Sequence, residues 1–134
     1  MGAKSGYIIF APEITYKDLT AVYEELLTKF LKETNQDPED ENFTKMLIRS
    51  SINDLEMNRK PEGYNRNNRI RLIFPITPDG RVKFYIYRTT RSEDIVRITE
   101  SLSTFLRDNG LQHEIKWDEM LLYKVQERKK PKKK

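Results

Sequence analysis

The sequence predicts an α+β fold, in which a four-stranded antiparallel sheet carries helices on one face. Three observations point to it: a short apolar run near the start, two alternating runs around a Pro-Asp-Gly turn, and amphipathic segments between the predicted strands. The predicted order of elements is β, α, α, β, β, α, β. Without the second helix this order becomes βαββαβ, so we expect a ferredoxin-like split βαβ sheet with an extra helix after the first.

The first predicted strand and helix lie within the first 33 residues. Tyr7–Phe10 is a continuous apolar run that Pro12 closes, which is typical of a central strand covered on both faces. Thr15 is a candidate N-cap, because Asp18 follows it at the spacing of a capping box. Apolar residues at helical spacing then predict a helix to about Glu33.

A second helix and a loop are predicted before the central hairpin. Asp37 is a suitable N-cap, and Pro38 suits the first position of a helix. Periodicity disappears over residues 58–68, whose composition is typical of an exposed loop. Such long loops in small domains are often functional.

The central hairpin has the clearest local signal. The alternating runs Arg69–Ile76 and Arg81–Arg88 flank Thr77–Gly80. Proline, aspartate and glycine in that order fit a type I turn followed by a left-handed glycine. The sequence therefore predicts a β-hairpin here.

A last helix and strand complete the predicted order. Thr90 or Ser92 can cap a helix that extends to about Asp108, and Leu111–Trp117 alternates as a strand should. Met120–Val125 is predicted to continue that strand as a bulged extension or to form a further short strand.

Length and composition set the broad class. We expect residues 1–127 to form one α+β domain and residues 128–134 to be a disordered basic tail. The chain has no cysteine, which excludes disulfides and thiolate metal sites, and no apolar run approaches the roughly 20 residues that span a bilayer. We therefore expect an intracellular protein, cytoplasmic or nuclear, without a membrane partner.

Charge is segregated along the chain. The formal balance is −5 over residues 1–57, +7 over residues 58–91, −4 over residues 92–127 and +6 over residues 128–134. The basic character therefore belongs to one central stretch and one tail. Local positive fields of this kind favour an anionic partner.

Catalysis has little support in the sequence. With a single histidine and no cysteine, the common zinc sites are excluded, and the five isolated glycines form no phosphate-binding loop. His113 alternates with apolar residues and is expected to be a hydrogen-bonded strand residue. We therefore predict no catalytic residues, no metal site and no cofactor.

One enzymatic alternative remains open at this stage. Metal-dependent nucleases often place an aspartate on one strand and Glu-x-Lys on the next, and here Asp79 and Glu114–Lys116 supply those residue types. The pattern is very short, Asp79 already has a role in the predicted turn, and a whole helix separates it from Glu114.

One face of the predicted hairpin combines cations with tyrosines. Single-stranded nucleic acid is bound by such surfaces, since cations neutralise phosphates and rings stack on unpaired bases. The neighbouring loop and the tail add further cations. The candidate nucleic-acid-binding residues are Arg59, Lys60, Tyr64, Arg66, Arg69, Arg71, Arg81, Lys83, Tyr85, Tyr87, Arg128, Lys129 and Lys130. A solvated sheet face would have a similar composition.

In outline, a split βαβ sheet with aromatic residues on its open face resembles the RNA-recognition motif. The Arg/Lys-Gly-aromatic-Gly signature of that motif is missing around Arg81–Tyr87, and the second helix has no counterpart in it. The sequence is therefore not assigned to that family.

These observations predict a non-catalytic protein that binds RNA or single-stranded DNA. The alternative is a protein-interaction module, an adaptor or inhibitor, that uses the same Tyr/Arg face, since both residue types are enriched at protein interfaces. The basic tail resembles a nuclear-import signal or a binding arm. The sequence leaves the oligomeric state open.

Overall fold

A five-stranded antiparallel sheet and three α-helices make up the part of the chain that the computed structural model describes, residues 2–35, 41–65 and 70–118. The strands are β1 (Ala3–Phe10), β2 (Gly63–Tyr64), β3 (Arg71–Ile73), β4 (Lys83–Ser92) and β5 (His113–Trp117). The helices are α1 (Tyr23–Glu33), α2 (Glu41–Glu56) and α3 (Glu93–Asp108), and a 3-10 turn at Tyr16–Leu19 precedes α1. The predicted α+β class is confirmed.

The order of strands in the sheet is β2-β3-β4-β1-β5. β1 is central, as predicted, with β4 on one side and β5 on the other, and every neighbouring pair is antiparallel. Ile8 lies opposite Phe84 on β4 and Ile115 on β5. Tyr7, one residue earlier, points to the other face, because successive side chains of a strand alternate.

The main core lies between one face of the sheet and the helices. Its fully buried side chains include Ile8 and Phe10 from the sheet, Leu27 from α1 and Leu102 from α3. Gly6 allows β1 and α3 to approach closely, since a Cβ atom at this position would overlap the side chain of Thr99. Among the described residues, the helices therefore pack against this face of the sheet and not against the other.

Local sequence signals correctly predicted one turn and two caps. In the Thr77–Gly80 turn, Gly80 has φ +75° and its N–H donates to the Thr77 carbonyl at 3.2 Å. Thr15 and Asp18 form the predicted capping box, but around the 3-10 turn rather than around one continuous helix. Ser92 Oγ accepts a hydrogen bond from the Asp94 N–H at 3.0 Å and caps α3.

The predicted count of four strands is wrong. Gly63 and Tyr64, inside the segment predicted to be a loop, form β2 and pair with Ile73 and Leu72. Gly63 has φ +82°, a conformation that glycine adopts without strain, and the chain then passes close to the Leu72 carbonyl. Two residues are too few to show a strand period, so β2 depends on its partner strand.

The hairpin strands differ in length from the prediction. β3 is shorter than the predicted Arg69–Ile76, because Pro75 has no N–H to donate to a ladder. β4 is longer and extends to Ser92. The predicted cap at Asp37, the extension Met120–Val125 and the tail 128–134 lie outside the described residues.

Candidate nucleic-acid interface

The sheet face opposite the main core is called the open face here. Of the residues that the structure describes, only strand residues form its apolar cluster: Tyr7, Ile9 and Tyr85, with Ile73 and Tyr87 packed against them. By the register of the strands, the open face carries Arg71 and Ile73 of β3, Lys83, Tyr85 and Tyr87 of β4, Tyr7 and Ile9 of β1, and Glu114 and Lys116 of β5.

The strand register arranges these side chains in rows across the sheet. The middle row is Ile73, Tyr85, Tyr7 and Lys116. On one side of this row Arg71 lies opposite Tyr87, and on the other side Lys83 and Glu114 flank Ile9. The two tyrosines of the middle row therefore have three cations and one carboxylate around them, with Lys116 in the row itself.

The tyrosines of the middle row support one another. The rings of Tyr7 and Tyr85 are stacked, with centroids 4.7 Å apart and an interplanar angle of 22°. Tyr7 is 6% exposed and Tyr85 8%, and this burial raises the pKa of Tyr85. Tyr85 is therefore a buried residue of the open face, since the neighbouring side chains cover most of its ring.

Tyr87 is the more accessible tyrosine of this face. It is half-buried, and its ring meets Tyr85 edge to face, with centroids 6.5 Å apart and an angle of 80°. Tyr85 therefore covers one side of the Tyr87 ring.

The cations lie beside the rings rather than away from them. Lys83 Nζ is 5.9 Å from the centroid of the Tyr7 ring, within the range of a cation–π contact. Arg71 lies close enough to Tyr85 for its charge to lower the pKa of that phenol, against the larger effect of burial. Arg71 and Lys83 therefore lie on opposite sides of the middle row, each close to a tyrosine of the open face.

Four predicted site residues lie away from the open face or are engaged elsewhere. Arg81 precedes β4 and donates to the Phe10 carbonyl from Nε at 3.1 Å and from Nη2 at 2.7 Å. Arg59 follows α2 and pairs with Asp54 at 3.0 Å, and Lys60 is next to it. The fourth of these residues, Tyr64, lies on the opposite face of the sheet.

Tyr64 is buried on the helix side of the sheet. It is 6% exposed, and its ring meets Phe30 of α1 edge to face at 6.0 Å between centroids. This corrects the expectation of an exposed loop tyrosine, and the reason is the pairing of Tyr64 with Leu72, which directs its side chain into the core. Five other predicted residues, Arg66, Arg69, Arg128, Lys129 and Lys130, lie outside the described residues.

Two residues of the open face were missed by sequence reasoning. Tyr7 was interpreted as part of an apolar run covered on both faces, but it points away from the helices and stacks on Tyr85. Lys116 lies directly across from Tyr7 on β5. The alternation of β5 places Lys116 on the polar face of that strand, but only the strand order brings it beside the tyrosines.

The two acids of the nuclease alternative have separate positions in the fold. Asp79 Oδ1 accepts a hydrogen bond from the Arg81 N–H at 3.0 Å within the turn, whereas Glu114 lies on the open face of β5. Within residues 2–35, 41–65 and 70–118, no three or more His, Asp and Glu side chains are grouped so that they could hold a metal ion.

His113 has partners at both ring nitrogens. Its Nδ1 lies 2.8 Å from the Leu111 carbonyl oxygen, which can only accept, so Nδ1 carries the proton. Its Nε2 lies 2.6 Å from the hydroxyl of Ser103, which is buried in α3, and the two groups share a hydrogen bond. The ring therefore ties β5 to α3, as expected for a hydrogen-bonded strand histidine.

Comparison with known proteins gives no relative for this chain. No protein-family model, no curated protein and no solved structure matches it. Among the described residues, no helix has the length and apolarity needed to cross a bilayer.

Proposed function

We propose that this protein binds RNA or single-stranded DNA through the open face and catalyses no reaction. One observation carries the proposal: Arg71, Lys83 and Lys116 surround a row of tyrosines on a sheet face against which no described helix packs. Cations neutralise the phosphates of a single strand, and aromatic rings offer stacking surfaces to its bases.

Each part of the face has its own role in this proposal. Tyr87 stacks on a base, because its ring is the more accessible one, while Tyr7 and Tyr85 form the rigid floor beneath it. Arg71 and Lys83 contact phosphates on opposite sides of the aromatic row. Glu114 at the β5 side repels phosphate, so the strand is expected to follow β3 and β4 more closely than β5.

The remaining predicted cations belong to the proposal as a weaker, nonspecific contribution. Residues 128–134 carry six Lys or Arg and no acid, and Arg59, Lys60, Arg66 and Arg69 lie in the basic central stretch. Such cations raise affinity for any polyanion without reading its bases. We place the protein in the cytoplasm or nucleus, where ligands of this class occur.

The test compares charge removal on the two sides of the sheet. Arg71→Ala/Lys83→Ala is assayed against a labelled oligouridine and an oligothymidine by fluorescence anisotropy. The matched control is Lys32→Ala/Arg49→Ala, which removes the same charge from exposed positions of α1 and α2. We expect a loss of about tenfold or more for the open-face variant and much less for the control. Equal losses would contradict the choice of face.

A protein-interaction module is the second candidate, and the burial of the middle row favours it. Ile73, Tyr85 and Tyr7 form an apolar strip flanked by an arginine and lysines, a composition also found at protein interfaces. Purification of the protein from cells distinguishes the two candidate functions. Co-purified nucleic acid that high salt removes supports the first, and a stoichiometric protein partner supports the second.

We further propose that the sheet is a ferredoxin-like split βαβ arrangement with β2 added at its edge. Without β2, the strand order is β3-β4-β1-β5, and α1 and α3 both contribute to the same core. This supports the βαββαβ interpretation, in which the face opposite the helices is the one available to ligands.

A further inference from the structure

The outer edge of β5 has an ordered set of backbone groups. β5 is the last strand of the sheet, and within the described residues only β1 pairs with it. The Gln112 carbonyl accepts from the Ala11 N–H, and the Asp118 N–H donates to the Ser5 carbonyl, each at 2.9 Å. Even-numbered residues of β5 therefore bond to β1, and His113, Ile115 and Trp117 direct their N–H and C=O groups outward.

The side chains of β5 are complementary to those of a second β5. Glu114 and Lys116 are both exposed, lie on the open face, and stand one residue to either side of Ile115. We propose that two copies of this chain pair through β5 in antiparallel orientation, with the two-fold axis at Ile115. Glu114 of each copy then lies opposite Lys116 of the other.

The hydrogen-bond pattern of the edge places these charges at the favourable positions. In the proposed pairing Ile115 forms a hydrogen-bonded pair with its counterpart, and His113 forms one with Trp117 of the second copy. Glu114 and Lys116 then occupy the non-hydrogen-bonded sites, where opposing Cα atoms are only about 4.5 Å apart and side chains are closest.

The same charges disfavour the neighbouring registers. If the axis moves by one residue, either Glu114 faces Glu114 or Lys116 faces Lys116 at a close, non-hydrogen-bonded site. Charges on an edge strand commonly prevent pairing with any other chain. Here one charge of each sign, placed symmetrically about Ile115, permits one register and opposes the two beside it.

The proposed dimer would join two five-stranded sheets into one continuous ten-stranded sheet. Antiparallel edge pairing keeps the two open faces on the same side, because Glu114 and Lys116 of both copies meet there. It would also cover the half-buried side chains of Ile115 and Trp117. The dimer itself needs no nucleic acid, so it stands or falls independently of the function proposed above.

The test is a pair of charge reversals analysed by sedimentation velocity of the full chain, without nucleic acid, in about 150 mM salt. Lys116→Glu gives two Glu–Glu pairs across the interface, and Glu114→Lys gives two Lys–Lys pairs. We expect the wild-type dimer to have a dissociation constant between about 1 µM and 1 mM. Each variant alone should dimerise with a dissociation constant about tenfold higher or more. An equimolar mixture of the two variants should recover the wild-type dissociation constant as a heterodimer.

Further measurements keep the proposal falsifiable. Trp117 is the single tryptophan of the chain, so its fluorescence should change with concentration in the wild type and on mixing the variants. Ile115→Pro removes an outward N–H and should abolish dimerisation while the far-UV circular dichroism of the chain is retained. Three results would overturn the proposal: a wild type that is monomeric at 1 mM, folded single variants that dimerise like the wild type, or a mixture of folded variants that stays monomeric.

Discussion

The phenol of Tyr23 links a single residue to the stability of the core. Tyr23 is buried in α1, and burial is the main reason that its pKa is raised to about 12 from 10.0. Between these two values the unfolded chain releases the proton before the folded chain does. The contribution of the Tyr23 phenol to the free energy of unfolding is therefore fully present below pH 10 and is lost as the pH rises towards 12.

We expect wild-type protein to lose on the order of 1–2 kcal/mol of unfolding free energy between about pH 10 and 12 through Tyr23. Tyr23→Phe should lose much less over the same range, because it has no phenol to ionise. Urea unfolding curves at a series of pH values check this, and the difference between the two proteins should be constant below pH 9. Parallel losses above pH 10 would assign the alkaline sensitivity to other groups.

Tyr85 and Tyr87 are neighbours on the open face, but their substitution should have different consequences. Tyr85 is buried and stacked, so Tyr85→Ala should destabilise the fold by roughly 2–4 kcal/mol. Tyr87→Ala should cost the fold about 1 kcal/mol or less. If Tyr87 stacks on a base, its removal should weaken binding by about 1–3 kcal/mol. Chemical denaturation and anisotropy measure the two effects, and folded Tyr87→Ala with wild-type affinity would contradict a stacking role.

At the scale of elements, the contact between β1 and α3 depends on one missing side chain. Gly6 lies where a Cβ atom would overlap the side chain of Thr99, which is itself buried. Gly6→Ala should therefore push α3 away from the sheet and destabilise the protein by about 1–3 kcal/mol. Thermal and urea unfolding of the variant measure this cost.

Two further variants isolate the cause of that loss. Gly6→Ala/Thr99→Ala removes Oγ1 and Cγ2 of Thr99, two of the three overlapping atoms, and should recover part of the stability. Gly80→Ala serves as the matched control, because no atom lies within 4 Å of its added Cβ and only its φ of +75° is unfavourable, at a cost of about 1 kcal/mol. A double variant no more stable than Gly6→Ala would show that the overlap is not the cause.

Elements with local determinants could be predicted from the sequence, and elements that depend on distant partners could not. The Thr77–Gly80 turn and the Ser92 cap follow from residues adjacent in the chain. β2 has two residues and exists through its pairing with β3, so no period in the sequence could indicate it. The same limit applies to Tyr64, whose burial follows from that pairing.

The candidate site was predictable in part for the same reason. Alternation along β4 correctly grouped Lys83, Tyr85 and Tyr87 on one face. Whether each side chain is exposed depends on the neighbouring strand, and the stack of Tyr7 on Tyr85 required β1 to lie beside β4. Sequence patterns give the face of a residue, whereas the strand order gives its neighbours.

At the scale of the whole molecule, the net charge of +4 conceals a body of opposite sign. Without residues 128–134, which carry six of the 25 Lys and Arg residues, the formal charge is −2. For the function proposed above, the positions of the cations therefore matter more than their total. The open face supplies Arg71, Lys83 and Lys116 within one patch, and the tail supplies a second, separate concentration of charge.

We therefore expect affinity for single-stranded nucleic acid to fall steeply with salt in two separable parts. Each phosphate contact on a single strand contributes a slope of about −0.7 to log K against log salt concentration, because condensed counterions are released. Truncation after Glu127 should flatten the slope without unfolding the protein, since the removed residues contain no apolar side chain. The slope that remains should become less steep again in Arg71→Ala/Lys83→Ala, by about 1.4 if both cations contact phosphates. Anisotropy titrations from about 50 to 300 mM salt measure these slopes, and affinity that does not change over this range would exclude a phosphate-dominated interface.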